Sequence, residues 1–549
     1  MPFLPLAKRI DRKLDFWSVL PWVWLVLAYG ITMGFLALHG KGYIDSDMAS
    51  EMVLADLLNK EGGIFSQNWG YSTEIRVFFL QAVYRITLLL FPHNWYAAHI
   101  LGQAIWMLFL IASVLFVGRA LELKSSGVWA AAAMACPFGM WYFWYGAFGG
   151  FYVPHMILLL LSFGLAVRIT KQTKKSRAAL LLLMLALISF VNGLGSIKGV
   201  LAIYLPMAAA AVMLILLQLH AQPQKLPATG LRYLVCGVTS TLFAGAGYLI
   251  NSTVLAANYT FRAHNDRIWG SLNFSALVQN WCDFLSLLGF PGFNVVGDLE
   301  TQLPLFSLYG VLGALGILLE AAALIALISL AVRWAKLGEQ GLLLLLTLAA
   351  VFLVQGAVFS FTDGADRANA SYWLTPLPLL ILAMQLAWEK APFRFAYARE
   401  ACAVAFIVCV SGCSVAAVHN FFEARIRATP ELQPAAQWLA DQGYTTGYAS
   451  WWNCNVATEW TNGQLDMRVV DGYTLDVTEV HQWLEHLDHD QPPEGKVFLL
   501  VSAEELWGSH KESLRNQNNV YWDENDYLIM AYDSYEELVA AVQAGHAGA

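Results

Sequence analysis

Apolar runs of about 20 residues recur along the whole chain and leave it few folds to adopt. A run of that length can cross the hydrocarbon core of a bilayer as a helix, which satisfies its own backbone hydrogen bonds. The sequence therefore predicts a polytopic α-helical membrane protein with about 11 transmembrane helices. The expected spans are 17–38, 97–117, 127–145, 151–167, 178–191, 197–217, 233–255, 305–332, 341–361, 370–388 and 401–418.

Composition agrees with this class and argues against a nucleic-acid-binding protein. Hydrophobic residues make up 58% of the 549 and charged residues 13%, whereas soluble domains are roughly a quarter charged. The net charge is -8, and the only short basic run, 171–177, is typical of a loop between membrane helices. We therefore expect lipid around most of the chain and no nucleic acid partner.

The basic loops set the expected orientation. The run 75–91 is also apolar, but if it lies on the outer surface instead of crossing, the basic loops all fall on one side. The positive-inside rule assigns that side to the cytoplasm. We therefore predict a cytoplasmic amino terminus and an outer-surface helix at 75–91. The basic loops contain Arg119 and Lys124, residues 168–177, Lys225 and Arg232, Arg333 and Lys336, and residues 390–399.

Two regions follow from this topology, a transmembrane module at 1–419 and an extracytoplasmic α/β domain at 420–549. The second region is large enough to bury a core of its own. Its apolar periodicity predicts helices at 434–441, 477–487 and 535–542 and strands at 445–450, 467–470 and 496–501. No glycine-rich phosphate loop opens any of these helices, so the pattern does not support a nucleotide site.

The first long loop, 39–96, holds a dense group of ionisable residues. Apolar residues recur at helical spacing from Asp47 onward, which predicts an amphipathic surface helix with Asp47 and Glu51 on its polar face. An aspartate at a helix start is often only an N-cap, and Glu51 suits a solvated face. Carboxylates near lipid are costly to desolvate, however, and are usually kept for function. Five of the loop's ionisable residues form this group: Asp45, Asp47, Glu51, Glu74 and Arg76.

This arrangement resembles the GT-C superfamily of membrane glycosyltransferases, which includes protein O-mannosyltransferases, aminoarabinose transferases of lipid A and oligosaccharyltransferases. The shared features are an acidic pair heading a surface helix in the first outer loop and a second polar cluster before the next span. In that family an aspartate of this loop is the catalytic base, which implies Asp47 here. Met48 replaces the Glu that commonly follows, and Ser72-Thr73-Glu74 replaces a Pro-Pro, so Asp45 stays an alternative.

A late segment extends the resemblance. Asp366-Arg367 with Tyr372, Pro376 and Pro378 is similar to the Arg/Tyr-then-Pro signature of many such enzymes, and 447–453 is similar to outer domains of bacterial members. The resemblance implies a GT-C-like fold in a bacterial cytoplasmic membrane. It also implies sugar transfer, with inversion, from a polyprenyl-phosphate donor to an extracytoplasmic glycan, lipid or protein.

A departing lipid phosphate needs positive charge beside it. The predicted topology places Arg367 and Lys198 at the outer surface, with His155 and Tyr372 near enough to join Glu51, Glu74 and Arg76 in binding substrate. Three of these residues also have a simpler structural explanation. Arg367 could form a salt bridge with Asp363 or Asp366, Lys198 could extend to the lipid headgroups, and His155 could be hydrogen-bonded inside the bundle.

Other functions stay open at this stage. No residues show convincing metal-ligand spacing, although Asp45, Asp47 and Glu51 could hold a divalent cation if other loops contributed oxygens. A lipid or sugar transporter or flippase is the main alternative to an enzyme, but it would be expected to show paired repeats and charges near the bilayer midplane. A non-catalytic anchor for a binding domain is a third hypothesis.

Overall fold

The apolar runs fold as long helices. The computed structural model describes residues 16–195, 197–262, 306–361, 370–393, 397–425, 428–508, 511–522 and 526–547, with isolated positions between 278 and 300. Within these ranges nine helices are long and apolar enough to cross a bilayer, as expected for an integral membrane protein. The helices up to residue 423 are α1 Phe16–His39, α2 Ser46–Glu61, α3 Leu80–Leu90, α4 Trp95–Ala120, α5 Val128–Met134, α6 Met140–Tyr142, α7 Val153–Lys171, α8 Lys175–Gly195, α9 Ile197–Ala221, α10 Ala228–Leu255, α11 Leu308–Val332, α12 Gly338–Ser360, α13 Leu377–Lys390 and α14 Ala398–Glu423.

Two of the expected spans are not single long helices. The run 127–145 divides into α5, α6 and a π-helical stretch, Phe143–Phe148, with Pro137 and Gly139 in the break. A Cβ on Gly139 would lie 2.4 Å from the Leu287 carbonyl oxygen, so the chain is held close to another backbone there. The run 370–388 begins as a 3₁₀ turn and becomes α13 only after Pro376, because proline is accepted in a helix's first turn but not in its interior.

The helix α2 of the first long loop is present, but Glu51 on its predicted polar face is not solvated. It begins after Asp45 and ends at Gly62, whose φ of 73° is the left-handed conformation that glycine adopts easily. Glu51 is buried along with the apolar residues, because α3 and a later helix, Trp451–Trp460, pack on α2. The second helix, α3, begins at Leu80, so Glu74 and Arg76 lie in the segment before it.

Two pairs of short strands lie outside the carboxyl-terminal region. The strand β1, Gly70–Tyr71, pairs in parallel with β2, Thr260–Phe261, and β3, Val295–Val296, pairs antiparallel with β4, Leu299–Glu300. The first of these pairs joins the first long loop to the chain that follows α10.

The carboxyl-terminal region, residues 432–547, is built around a five-stranded sheet. Three of its strands and two of its helices agree with the predictions from sequence, whereas the helix predicted at 477–487 is wrong. That stretch consists of turns and extended chain followed by a 3₁₀ turn, Leu487–Asp490. The elements are α15 Leu432–Asp441, β5 Thr446–Ser450, α16 Trp451–Trp460, β6 Asp466–Val470, β7 Val497–Ser502, α17 Ala503–Gly508, β8 Asn519–Trp522, β9 Tyr527–Tyr532 and α18 Tyr535–Ala547.

The sheet order is β6-β5-β7-β9-β8. The strands β6, β5 and β7 are parallel, and β9 runs antiparallel to both β7 and β8. The central strands read as nearly continuous apolar runs because both of their faces are buried.

Backbone hydrogen bonds attach the carboxyl-terminal region to the first long loop. The Gly70 amide donates to the Glu485 carbonyl (2.8 Å), and the Leu484 amide donates to the Gly70 carbonyl (2.7 Å). A second attachment lies at α4, where the Trp95 amide donates to Asn462 Oδ1 (2.8 Å). The carboxyl-terminal region therefore covers the loop that carries the acidic residues.

Candidate functional site

Asp45 is a buried anchor at the start of α2. Its Oδ1 accepts the Met48 amide (2.9 Å), the bond expected of an N-cap, and its Oδ2 accepts the Trp144 indole N–H (3.1 Å). Only 1% of Asp45 is exposed. Both carboxylate oxygens are therefore engaged in holding α2 against the aromatic segment that contains Trp144.

Asp47 and Glu51 lie one turn apart on α2 and differ in burial. Asp47 is partly exposed in the first turn, whereas Glu51 is buried. Burial raises the pKa of Glu51 to about 7, Arg76 opposes this rise and the charge of Asp47 adds to it. The start of α2 thus combines an accessible carboxylate with a buried carboxyl group that can hold a proton near neutral pH.

Arg76 connects this acidic turn to the membrane helices. Its Nε lies 3.8 Å from Glu74 Oε1, and its guanidinium carbon lies 4.6 Å from the centre of the Phe79 ring. The Phe79 ring centre is 6.5 Å from that of His155 on α7. Arg76 is therefore held by a carboxylate and an aromatic face between Glu51 and His155.

A cavity of about 260 Å³ opens between α7, α9, α12 and the turn that precedes α13. Lys198 Nζ lies 5.1 Å from the centre of the Tyr372 ring, a cation–π distance. The Tyr152 ring centre lies 6.0 Å from that of Tyr372 and 6.1 Å from that of His155. The structure therefore brings His155, Lys198 and Tyr372, three of the predicted site residues, to one cavity. Its wall is formed by Tyr152, His155, Ile197, Lys198, Gly199, Leu201, Ala202, Ile203, Val354, Gln355, Val358, Tyr372 and Thr375.

An aromatic path links the acidic turn to this cavity. From Asp45 it passes through Trp144 to Tyr145, with ring centres 4.6 Å apart, and on to Tyr152 at 6.1 Å. In the sequence, the aromatic run 141–145 suits an interfacial belt or stacking on lipid or sugar, and it does not reveal these contacts. No local signal separates the two roles, because what distinguishes Trp144 is its burial against a residue 99 positions earlier.

Arg367 cannot be placed in this arrangement. It lies outside the described residues, together with Asp363 and Asp366 as its predicted salt-bridge partners. The described cations near the acidic turn and the cavity are Arg76 and Lys198.

Within the described residues, Asp45, Asp47 and Glu51 do not belong to a group of three ligand atoms close enough to hold a metal ion. Among those residues, the group with the necessary proximity is His486, Asp488 and His489 in the carboxyl-terminal region.

Comparison with known proteins gives matches of structure only. No family model matches the sequence, and no curated protein matches it. ArnT from Cupriavidus metallidurans in the apo state superposes with a TM-score of 0.53 and 12% identity over 94% of this chain and 97% of that chain. The same enzyme bound to undecaprenyl phosphate gives a TM-score of 0.53, 11% identity and coverages of 94% and 98%. An Archaeoglobus fulgidus oligosaccharyltransferase tethered to an acceptor peptide gives a TM-score of 0.48, 11% identity and coverages of 94% and 74%.

The match to ArnT extends over almost the whole of both chains at an identity that carries no residue-level information. The chain therefore has the fold of ArnT, in agreement with the GT-C-like fold predicted from the sequence.

Proposed function

We propose that this protein is a glycosyltransferase that moves a sugar from a polyprenyl-phosphate donor to an acceptor on the extracytoplasmic side of the membrane. The observation that carries the proposal is the placement of Arg76 between the acidic turn of α2 and the cavity of His155, Lys198 and Tyr372. An ArnT structure with undecaprenyl phosphate shows that a protein of this fold binds such a carrier.

Asp47 is the proposed catalytic base. In a direct displacement, the acceptor oxygen attacks the anomeric carbon, the bond from that carbon to the phosphate oxygen breaks, and the configuration inverts. The base takes the proton of the acceptor group, which contributes roughly 10²- to 10⁴-fold in rate. Asp47 suits this role better than Asp45, because it is partly exposed and Asp45 has both oxygens in hydrogen bonds.

The leaving phosphate requires cations. Lys198 reaches the cavity as a point charge, and Arg76 offers a planar fork of N–H donors. We assign the phosphate to these two and to Arg367. Tyr372 and His155 line the path of the donor. We assign Glu74 and Glu51 to the orientation of Arg76 and not to the reaction itself. Glu74 forms an ion pair with Arg76, and Glu51 interacts with the charge of Arg76.

The orientation belongs to the same proposal. We propose a cytoplasmic amino terminus and an extracytoplasmic domain at 420–549, because the positive-inside rule favours this orientation of the basic loops. The resemblance to the GT-C superfamily supports a bacterial cytoplasmic membrane. Donor and acceptor then meet beneath the carboxyl-terminal region, which covers the first long loop.

Replacement of Asp47 by Asn tests the assignment. In proteoliposomes supplied with a polyprenyl-phosphate sugar and an acceptor, D47N is expected to lose transfer by at least about 10²-fold, because its amide cannot accept the proton. The matched control is D56N, on the same helix and paired with Lys60 at the surface, which should keep wild-type turnover. Full turnover by D47N would refute Asp47 as the base.

The same vesicles separate an enzyme from a flippase. A transferase forms a covalent product with the acceptor, whereas a flippase moves the lipid-linked sugar between leaflets without forming one. Translocation with no product, in vesicles containing both substrates, would reject the proposed function.

A further inference from the structure

A group of nitrogen and oxygen ligands lies in the carboxyl-terminal region and shares no residue with the cavity or the acidic turn. His486, Asp488 and His489 offer ligand atoms that all lie within 4.8 Å of one another. They belong to the strap, which we define as residues 482–490, the segment that pairs with the first long loop. We infer that these three residues form a divalent-metal site of the zinc type.

His489 has the surroundings of a metal ligand. It is 4% exposed, and its Nε2 lies 2.8 Å from Asp466 Oδ1. Metal-binding histidines usually donate one ring N–H to a carboxylate and present the other nitrogen to the ion. The other nitrogen, Nδ1, lies 2.5 Å from Glu485 Oε1, so each ring nitrogen of His489 contacts a carboxylate. A divalent ion bound at Nδ1 would replace the Glu485 contact and leave Nε2 on Asp466.

The first long loop holds the other two ligands in position. The His486 ring is 4.9 Å from that of His489 and 5.4 Å from that of Trp69. The Asp488 amide donates to Asn68 Oδ1 (2.9 Å). The ligands thus sit on a segment whose backbone is already fixed, which lowers the entropic cost of binding an ion.

Charge and ligand type favour a divalent cation. The carboxylates of Asp466, Glu485 and Asp488 surround two imidazoles, and Glu485 is 1% exposed. Arg468 directs one donor to the His489 carbonyl (3.1 Å). Two imidazoles and a carboxylate are a common zinc set, whereas calcium and magnesium prefer oxygen ligands alone.

The ion would act at the junction of the two regions. The strap and β1 exchange hydrogen bonds at Gly70, and the same loop continues to Glu74 and Arg76. Bound zinc would hold the strap on this loop and so stabilise the folded protein. This role is independent of the proposed transfer reaction.

Zinc titration of the full-length protein tests the site. Detergent-purified protein, stripped with a chelator, is titrated with zinc chloride in a calorimeter, and its thermal midpoint is measured with and without zinc. We expect about one equivalent bound and a midpoint that rises with zinc. H486A and D488N should each weaken zinc binding by at least about 10-fold, as should D466N through His489.

Two controls locate the ion. H481A changes an exposed histidine beside the strap and should bind zinc as the wild type does, and so should D47N if the acidic turn holds no metal. His486 and Asp488 are not buried, so their variants should elute as the wild type does. Absence of stoichiometric zinc binding, or unchanged affinity in H486A and D488N, would overturn the inference whatever the transferase activity.

Discussion

At the scale of single residues, Glu51 shows how burial changes the chemistry of a side chain. Its position on α2 is compatible with a solvated face, yet helices from two other parts of the chain cover it. The raised pKa of Glu51, about 7, follows from that burial, with Arg76 as the compensating charge. The proton on Glu51 is therefore exchangeable near neutral pH, next to the proposed base.

Replacement of Glu51 by Gln should change how stability depends on pH. The folded pKa of about 7 lies above the usual 4.5, so the folded state binds this proton more tightly than the unfolded state. Its contribution to stability is complete below about pH 4.5 and is lost as pH rises through 7. E51Q should remove this loss and give a higher thermal midpoint than wild type at pH 8.

The measurement is a series of thermal midpoints in detergent from pH 4.5 to 8. E61Q changes an exposed carboxylate at the end of the same helix and should follow the wild-type profile. Parallel profiles for E51Q and wild type would contradict the burial argument.

At the scale of elements, close packing of α8 against α10 positions the start of α9 and hence Lys198. A Cβ on Gly193 would lie 2.0 Å from the Ala244 carbonyl oxygen, so the two backbones are in direct contact. Small residues permit such approach between membrane helices. Asn192, next to Gly193, donates to the Tyr204 hydroxyl on α9 (3.2 Å).

Gly193→Ala should force α8 and α10 apart. Overpacking of this kind costs about 1–3 kcal/mol, because backbone atoms cannot move aside as a flexible side chain can. The thermal midpoint should therefore fall. The control is Gly245→Ala on α10, where an added Cβ meets nothing within 4 Å; an equal fall in both variants would show that the contact is not responsible.

At the scale of the whole molecule, a buried polar network joins the carboxyl-terminal region to the membrane helices. His99 Nδ1 of α4 lies 2.9 Å from Glu459 Oε1 of α16, and both residues are almost fully buried. The His99 Nε2 is 3.2 Å from the Tyr84 hydroxyl, which accepts from Gln103 (2.6 Å). This network and the strap together hold the carboxyl-terminal region over the acidic turn.

Breaking this pair should destabilise the protein more than removing an exposed one. E459A leaves His99 without its partner, and loss of one member of a buried pair costs about 3–5 kcal/mol. The double variant H99L/E459L should recover part of the loss, because both members of the pair are removed together and only the Tyr84 hydroxyl loses a partner.

Removal of the surface pair supplies the comparison. Asp56 and Lys60 lie 2.7 Å apart with Lys60 exposed, so D56A should cost no more than about 1 kcal/mol. The thermal midpoints of the wild type, E459A, H99L/E459L and D56A test the prediction. It fails if E459A and D56A have the same midpoint.

Local pattern was sufficient for much of this architecture. Hydropathy alone identified the membrane helices, because crossing a bilayer demands a long apolar run wherever it occurs. Alternation and apolar runs located β5, β6 and β7, because their side chains meet a core on both faces. The acidic cluster in the first long loop could also be predicted, because ionisable residues beside an apolar span are unusual in any sequence.

Tertiary structure decided the rest, for a physical reason that recurs at each site. The helix predicted at 477–487 is absent because the chain there pairs with Gly70, far away in sequence. Asp45 differs from Asp47 because it caps α2 and also accepts the Trp144 indole N–H. Glu51 is buried because α3 and α16 pack on α2. Periodicity records what a residue contributes to its own element, whereas burial, pairing and proton affinity depend on residues that the chain brings from elsewhere.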